Sequence, residues 1–192
     1  MRITTKKLTI MAILTAVALV IFIIEALIPL PVPVPGVKLG LANAVTLFAL
    51  FYGASKPDKP DKPDSADSRK DLYSLTTGDA FTILLCRIML GAVFTGRPVA
   101  LAYSIAGGLL GFVAMVVIKR FVTHKQIWVC GAIGAVFHNI GQIIAAVLIT
   151  GTPAIAAYLP VLIIVGVQTG VLTGLIAQLT LARITKERQN KK

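Results

Sequence analysis

From Ile127 to Gly151 the chain runs for 25 residues without an Asp, Glu, Lys or Arg, and comparable apolar stretches recur along its length. An α-helix of about 20 such residues crosses a hydrocarbon core of about 30 Å, and in lipid a helix satisfies its own backbone polar groups. The runs place helices at residues 8–30, 38–53, 76–96, 98–118, 127–151 and 155–182, the second being short enough to need length from its flanks. Composition agrees: 56% of residues are hydrophobic and 14% charged, against about 45–50% and about 25% in soluble domains. The sequence therefore predicts an all-α integral membrane bundle of six transmembrane helices, one domain spanning residues 1–192 of a multi-pass cell-membrane protein.

The net charge of +11 raises the question of nucleic acid, but the positions of the charges answer it. Sixteen of the nineteen Lys and Arg fall in four segments on one side of the predicted bundle: Arg2, Lys6 and Lys7; Lys56, Lys59, Lys62, Arg69 and Lys70; Lys119, Arg120 and Lys125; and Arg183, Lys186, Arg188, Lys191 and Lys192. Lys38 and Arg97 fall on the other side and Arg87 within a span. The positive-inside rule then puts both termini in the cytoplasm and accounts for the charge without a nucleic-acid partner. The first span follows a basic start, as in a signal peptide, but its apolar run is far longer than a 7–15-residue signal core and it reads as an uncleaved helix.

Between the second and third spans, residues 55–77 carry KPDKPDKPDSADSRKD, with five Lys or Arg and five Asp. The spacing of Asp58, Asp61, Asp64 and Asp67 resembles the paired aspartates by which prenyl-transfer enzymes hold magnesium diphosphate. Pro57, Pro60 and Pro63 keep the stretch out of a helix, so those aspartates cannot share a helix face and the segment reads as a flexible cytoplasmic linker. Residues Pro29 to Gly36, PLPVPVPG, are stiff and extended, and serve either as a lid on an outer site or as a tie between two helices. Cys86 and Cys130 lie inside spans with no CxxC or His pair, so they read as packing residues, and no metal site or cofactor is expected.

Small residues recur at helical spacing: Gly166, Gly170 and Gly174 on the sixth span, Gly107 and Gly111 on the fourth, Ala12 and Ala16 on the first. Such motifs bring helix backbones together, within the bundle or across a partner interface. Ala12 and Ala16, near the cytoplasmic end of the first helix, are the pair assigned to a partner.

Polar side chains within the spans mark the candidate site. His138, Asn139 and Gln142 fall within one 100° arc of the fifth helix, with Gly131, Gly134, Ala135, Ala145 and Ala146 on the same face. Val129, Ile133, Val136, Ile140, Ile143, Ile144 and Val147 make an opposite, lipid-like face. Glu25, Lys38, Asn43 and Tyr103 lie toward the outer ends of their spans and Arg87 near the middle of the third. An ionised Arg at that depth costs about 2.5–17 kcal/mol and must snorkel, pair with an acid or line water. Glu25 is the acid nearest in depth, whereas Asp79 suits the first turn of the third helix. These residues make either an outward-facing site for a small anionic or amphiphilic solute or a polar network that only ties the bundle. The chain carries no Walker A, GxSxG, HExxH or dinucleotide fingerprint, so it reads as a non-enzyme.

The runs PGVKLGLANAVTLFALFYG (35–53), RIMLGAVFTG (87–96), YSIAGGLLGFVAMVVIK (103–119), GAIGAVFHNIGQ (131–142) and YLPVLIIVGVQTGVLTGL (158–175) resemble the Gx transporter family, also labelled heptaprenyl diphosphate synthase component I. That family is similar in turn to the substrate-binding S-components of energy-coupling factor transporters. The resemblance implies six helices in a bacterial plasma membrane, an outward-facing solute site, and an alanine motif on helix one, here Ala12 and Ala16, that docks to a transmembrane coupling subunit driven by cytoplasmic ATPases. It also implies a shorter connection between the second and third spans than residues 55–77 provide. The family's second label leaves open a non-catalytic membrane partner of polyprenyl diphosphate synthesis.

Overall fold

The computed structural model describes residues 4–28, 37–52, 75–96 and 98–190, and among these every regular element is helical. In chain order they are α1 (Thr5–Glu25), α2 (Asn43–Phe51), α3 (Thr77–Thr95), α4 (Pro98–Ile118), α5 (Ile127–Thr150), a 3-10 turn (Pro153–Tyr158) and α6 (Leu159–Asn190). The proline run 29–36, Arg97 and the linker up to residue 74 lie outside the described residues.

Local chemistry sets the boundaries. Thr76 and Asp79 form a reciprocal capping box that satisfies two of the orphan amides at the start of α3. Gly96 and Gly151 close α3 and α5 at φ 60° and 64°, a left-handed conformation that costs glycine little. Pro98 opens α4, where the missing N–H has no partner to lose.

Five helical segments are long and apolar enough to cross a membrane: α1, α3, α4, α5 and Pro153–Glu187. The second predicted span is built differently. Its helix has nine residues, a rise of about 13–14 Å, and residues 37–42 ahead of it are non-helical yet almost entirely buried. Seven of the nine residues of α2 are buried, and the helix touches α1, α3, α4, α5 and α6. It is the hub of the bundle, because a half-length helix with an irregular lead survives at membrane depth only where protein surrounds it.

Around that hub α5 sits between α4 and α6, in seams so close that glycine is required. A Cβ on Gly131 would lie 2.5 Å from the Gly170 carbonyl oxygen, one on Gly141 2.6 Å from that of Ala106, and one on Gly111 2.8 Å from that of Gly134. The glycine motifs of α4 and α6 are thus spent inside the bundle, where dispersion between touching backbones replaces a hydrophobic force that lipid cannot supply. This corrects the expected lipid face of α5: Ile143 is buried and Val129, Ile133, Val136, Ile140 and Val147 are partly so, because α4 and α6 flank the helix on both sides. Cys130 is buried, whereas Cys86 is exposed on α3 rather than packed.

The ends of the bundle differ in chemistry. At the basic end Lys7 pairs with Asp79 at 2.6 Å, and the Lys119 ammonium donates to the Leu50 carbonyl in the last turn of α2 at 2.6 Å. Leu75 N–H donates to the Tyr52 carbonyl at 3.2 Å, so the chain leaves α2 and returns to α3 at one point. Toward the other end lies the polar cluster.

Candidate functional site

The site is organised by the irregular segment 37–42, whose amides cannot find helical partners. Side chains from two helices supply them. Lys38 N–H donates to Gln142 Oε1 of α5 at 2.8 Å, while the N–H groups of Gly40 and Leu41 both donate to Glu25 Oε1 of α1, Leu41 at 3.2 Å. The carbonyls of Gly40, Leu41 and Ala42 accept from the first amides of α2 at 2.9–3.3 Å. Gly40 holds φ 82°, and a Cβ there would meet His138 Cδ2 at 2.9 Å and Asn43 Nδ2 at 3.0 Å. Both conformation and space therefore demand glycine in KLGLAN.

Two cations sit against this loop. The Arg87 side chain, 2% exposed, donates from Nη2 to Asn43 Oδ1 at 3.3 Å. Lys38 Nζ stands 2.9 Å above the centroid of Phe22, and Arg87 Cζ lies 5.9 Å from the same ring. The ring is seated by Gly91, where a Cβ would come within 2.5 Å of it. Glu25, the acid nearest Arg87 in depth, does not form a salt bridge with it: among the described residues Arg87 has no carboxylate within 4 Å, and Glu25 Oε1 accepts from the loop amides instead. Phe22 was invisible to sequence reasoning, since one aromatic in an apolar helix breaks no pattern.

The three polar residues of α5 diverge. Because an N–H can only donate, the Gln142 atom facing Lys38 N is the oxygen, and the amide nitrogen therefore faces His138 Nε2. That ring nitrogen is the acceptor, which leaves the proton of neutral His138 on Nδ1, against Gly107 of α4. Asn139 turns the other way and donates from Nδ2 to the Leu162 carbonyl of α6 at 2.6 Å, beside Gly166. Tyr103 packs in an apolar cluster with Val37, Ile143 and Leu162. One 100° arc thus serves two seams, because α4 and α6 approach α5 from different sides.

The structure gathers Glu25, Lys38, Asn43, Arg87, His138 and Gln142 around one loop, and leaves Asn139 and Tyr103 at its margins. All eight are between 0 and 7% exposed, so the cluster lies within the bundle. Within the cluster Asn43 Nδ2, Arg87 Nε and His138 Nδ1 have no hydrogen-bond partner among the described residues, nor have Thr46 Oγ1 and Asn139 Oδ1. A buried polar atom left unpaired costs about 1–3 kcal/mol. Thr46, i+3 from Asn43 inside an apolar helix, was also not singled out from sequence. Ala12 and Ala16 are exposed on the outer face of α1.

Comparison with known proteins gives no match among curated proteins and none among solved structures. A family model matches residues 14–57 and 71–180, which include every residue of the polar cluster and leave out residues 1–13, 58–70 and 181–192. With an all-helical membrane bundle and a match over most of its length, the chain belongs to the heptaprenyl diphosphate synthase component I family.

Proposed function

We propose that this multi-pass membrane protein is the solute-binding subunit of a transporter in a bacterial plasma membrane, similar in role to an S-component of energy-coupling factor transporters. The observation that carries the reading is the loop cluster: two buried cations beside one carboxylate, with unpartnered donors on Arg87 and Asn43. Burying a guanidinium whose Nε has no acceptor is costly in a low-dielectric interior, and intramembrane ionisable groups of this kind mark binding or conduction paths. A small anionic or amphiphilic solute would supply acceptors for Arg87 Nε and Asn43 Nδ2. Ala12 and Ala16, exposed on a helix that among the described helices touches only α2 and α3, support docking of a coupling subunit that works with cytoplasmic ATPases.

The test is ligand-dependent thermal stabilisation of the detergent-purified protein across a metabolite panel, with mass spectrometry of what co-purifies. Arg87→Ala abolishes the stabilisation on this reading. If no metabolite stabilises the wild type and only bulk lipid co-purifies, the reading is wrong.

A second reading rests on the family's description: a non-catalytic membrane component working beside a soluble synthase in polyprenyl diphosphate synthesis. It predicts altered prenyl product when the chain is added to that synthase. In neither reading does the chain catalyse a reaction itself, and the carboxylates of Glu25 and Asp79 are committed to a loop and a helix cap.

A further inference from the structure

The two consecutive amides that Glu25 occupies are those of a backbone nest. Gly40, at φ 82°, turns its own N–H and that of Leu41 toward one point, just before the N-terminus of α2. Successive amides in such a turn make an anion-binding concavity. A single carboxylate oxygen takes both of them here, and that carboxylate is the protein's own.

Around the nest are groups with unmet demand. Asn43 Nδ2 lies 3.0 Å from where a Gly40 Cβ would stand, Arg87 Nε belongs to the guanidinium bonded to that same Asn43, and both nitrogens lack an acceptor although their side chains are at least nine-tenths buried. Both are donors. Glu25 satisfies the amides and leaves these two unserved, whereas a ligand with two oxygens on one carbon could serve the nest with one and the side-chain donors with the other. Glu25 also hangs from α1, which among the described helices touches only α2 and α3, so withdrawing it disturbs neither glycine seam.

We propose that the amides of Gly40 and Leu41 are the receptor for a carboxylate of the solute, and that Glu25 is an internal stand-in which the incoming carboxylate displaces. The proposal rests on the solute-binding reading and deepens it: the solute is a carboxylic acid, and Glu25 opposes its binding instead of contacting it. The atoms shared with other oxyanions are the acceptor oxygens, so inorganic phosphate is the comparison that separates the two chemistries.

The experiment is chemical rescue. Glu25→Ala is purified in detergent and its thermal unfolding followed in sodium acetate, in sodium phosphate, and in choline chloride at matched ionic strength. The expected result is a melting temperature several degrees below wild type that acetate restores in a saturable manner, with no recovery in phosphate or choline chloride. Glu25→Gln, which keeps an acceptor for the amides but gives up the charge, covers the case in which Glu25→Ala does not fold: it binds acetate more tightly than wild type.

Loss of stability with no recovery in acetate, or Glu25→Gln binding acetate no better than wild type, overturns the proposal and makes Glu25 a structural cap. Equal rescue by phosphate overturns the carboxylate assignment. The two readings fail separately. If Arg87-dependent solute binding persists in wild type while rescue fails, only the stand-in is lost; if rescue succeeds and no metabolite binds, the nest exists and the solute-binding reading falls.

Discussion

Replacing Gly170 by Ala tests whether the α5–α6 seam is as close as the backbone indicates. A Cβ at Gly170 would stand 2.6 Å from both Ala132 Cα and the Gly131 carbonyl oxygen, and 2.9 Å from Ala135 Cβ. The first two are backbone atoms that no rotamer change can move. Reaching ordinary contact near 3.4 Å requires the helices to part by about 0.8 Å, and a gap of that size forfeits a quarter to a half of the dispersion energy of atom pairs across the seam. Overpacking of this kind costs about 1–3 kcal/mol, and strain on the Asn139–Leu162 bond adds up to about 1 kcal/mol. Against this, Gly→Ala inside a helix gains up to about 1 kcal/mol in propensity. The expected net loss is about 1–3 kcal/mol, read by thermal or denaturant unfolding of the purified protein in micelles. Gly78→Ala is the control: it sits in the first turn of α3 with its nearest neighbour, Thr76 Oγ1, at 3.7 Å, so it should hold or raise stability. If Gly170→Ala is as stable as wild type, the helices do not approach as closely as argued and the account of the glycine motifs is wrong.

Deleting residues 58–70 should preserve the fold, since the chain enters and leaves that excursion through the Tyr52–Leu75 bond; shortening the closed loop contributes roughly 0.8 kcal/mol of stability, and a melting temperature many degrees below wild type would contradict this. Asp79→Ala removes both the α3 capping box and the Lys7 ion pair and should cost about 1–2 kcal/mol, with Lys7→Ala alone costing less. In Gln142→Glu the acceptor for Lys38 N–H survives but the donor to His138 is gone, so nitrogen NMR of labelled histidine should show the ring proton leaving Nδ1 for Nε2. An unchanged spectrum would refute the assigned tautomer.

How much of this was legible in the sequence depended on whether a signal was local. The five long helices follow from apolar run length, because a chain in lipid has almost no alternative to helix. The place of Asp79 in the first turn of α3 follows from the favourable charge of that helix end, and the structure adds its capping box with Thr76. The glycine spacing announced close packing, whereas the depth of Arg87 in an apolar run left open whether it snorkels, pairs or lines water, and the structure buries it. The second span misled in one respect, since hydropathy measures burial from water and cannot separate burial in lipid from burial in protein.

What the tertiary structure alone decided is who answers whom. Asn139 and Gln142 occupy one arc of α5, yet α6 takes the first and the loop at Lys38 takes the second. Depth in the bilayer pairs Glu25 with Arg87, yet Glu25 serves the amides of Gly40 and Leu41, because an irregular turn inside the bundle has orphan donors to satisfy and Arg87 is bonded to Asn43. Side-chain chemistry and helix periodicity are written residue by residue along the chain. The pairing of unsatisfied groups is a property of where six helices converge, and it exists only once they have packed.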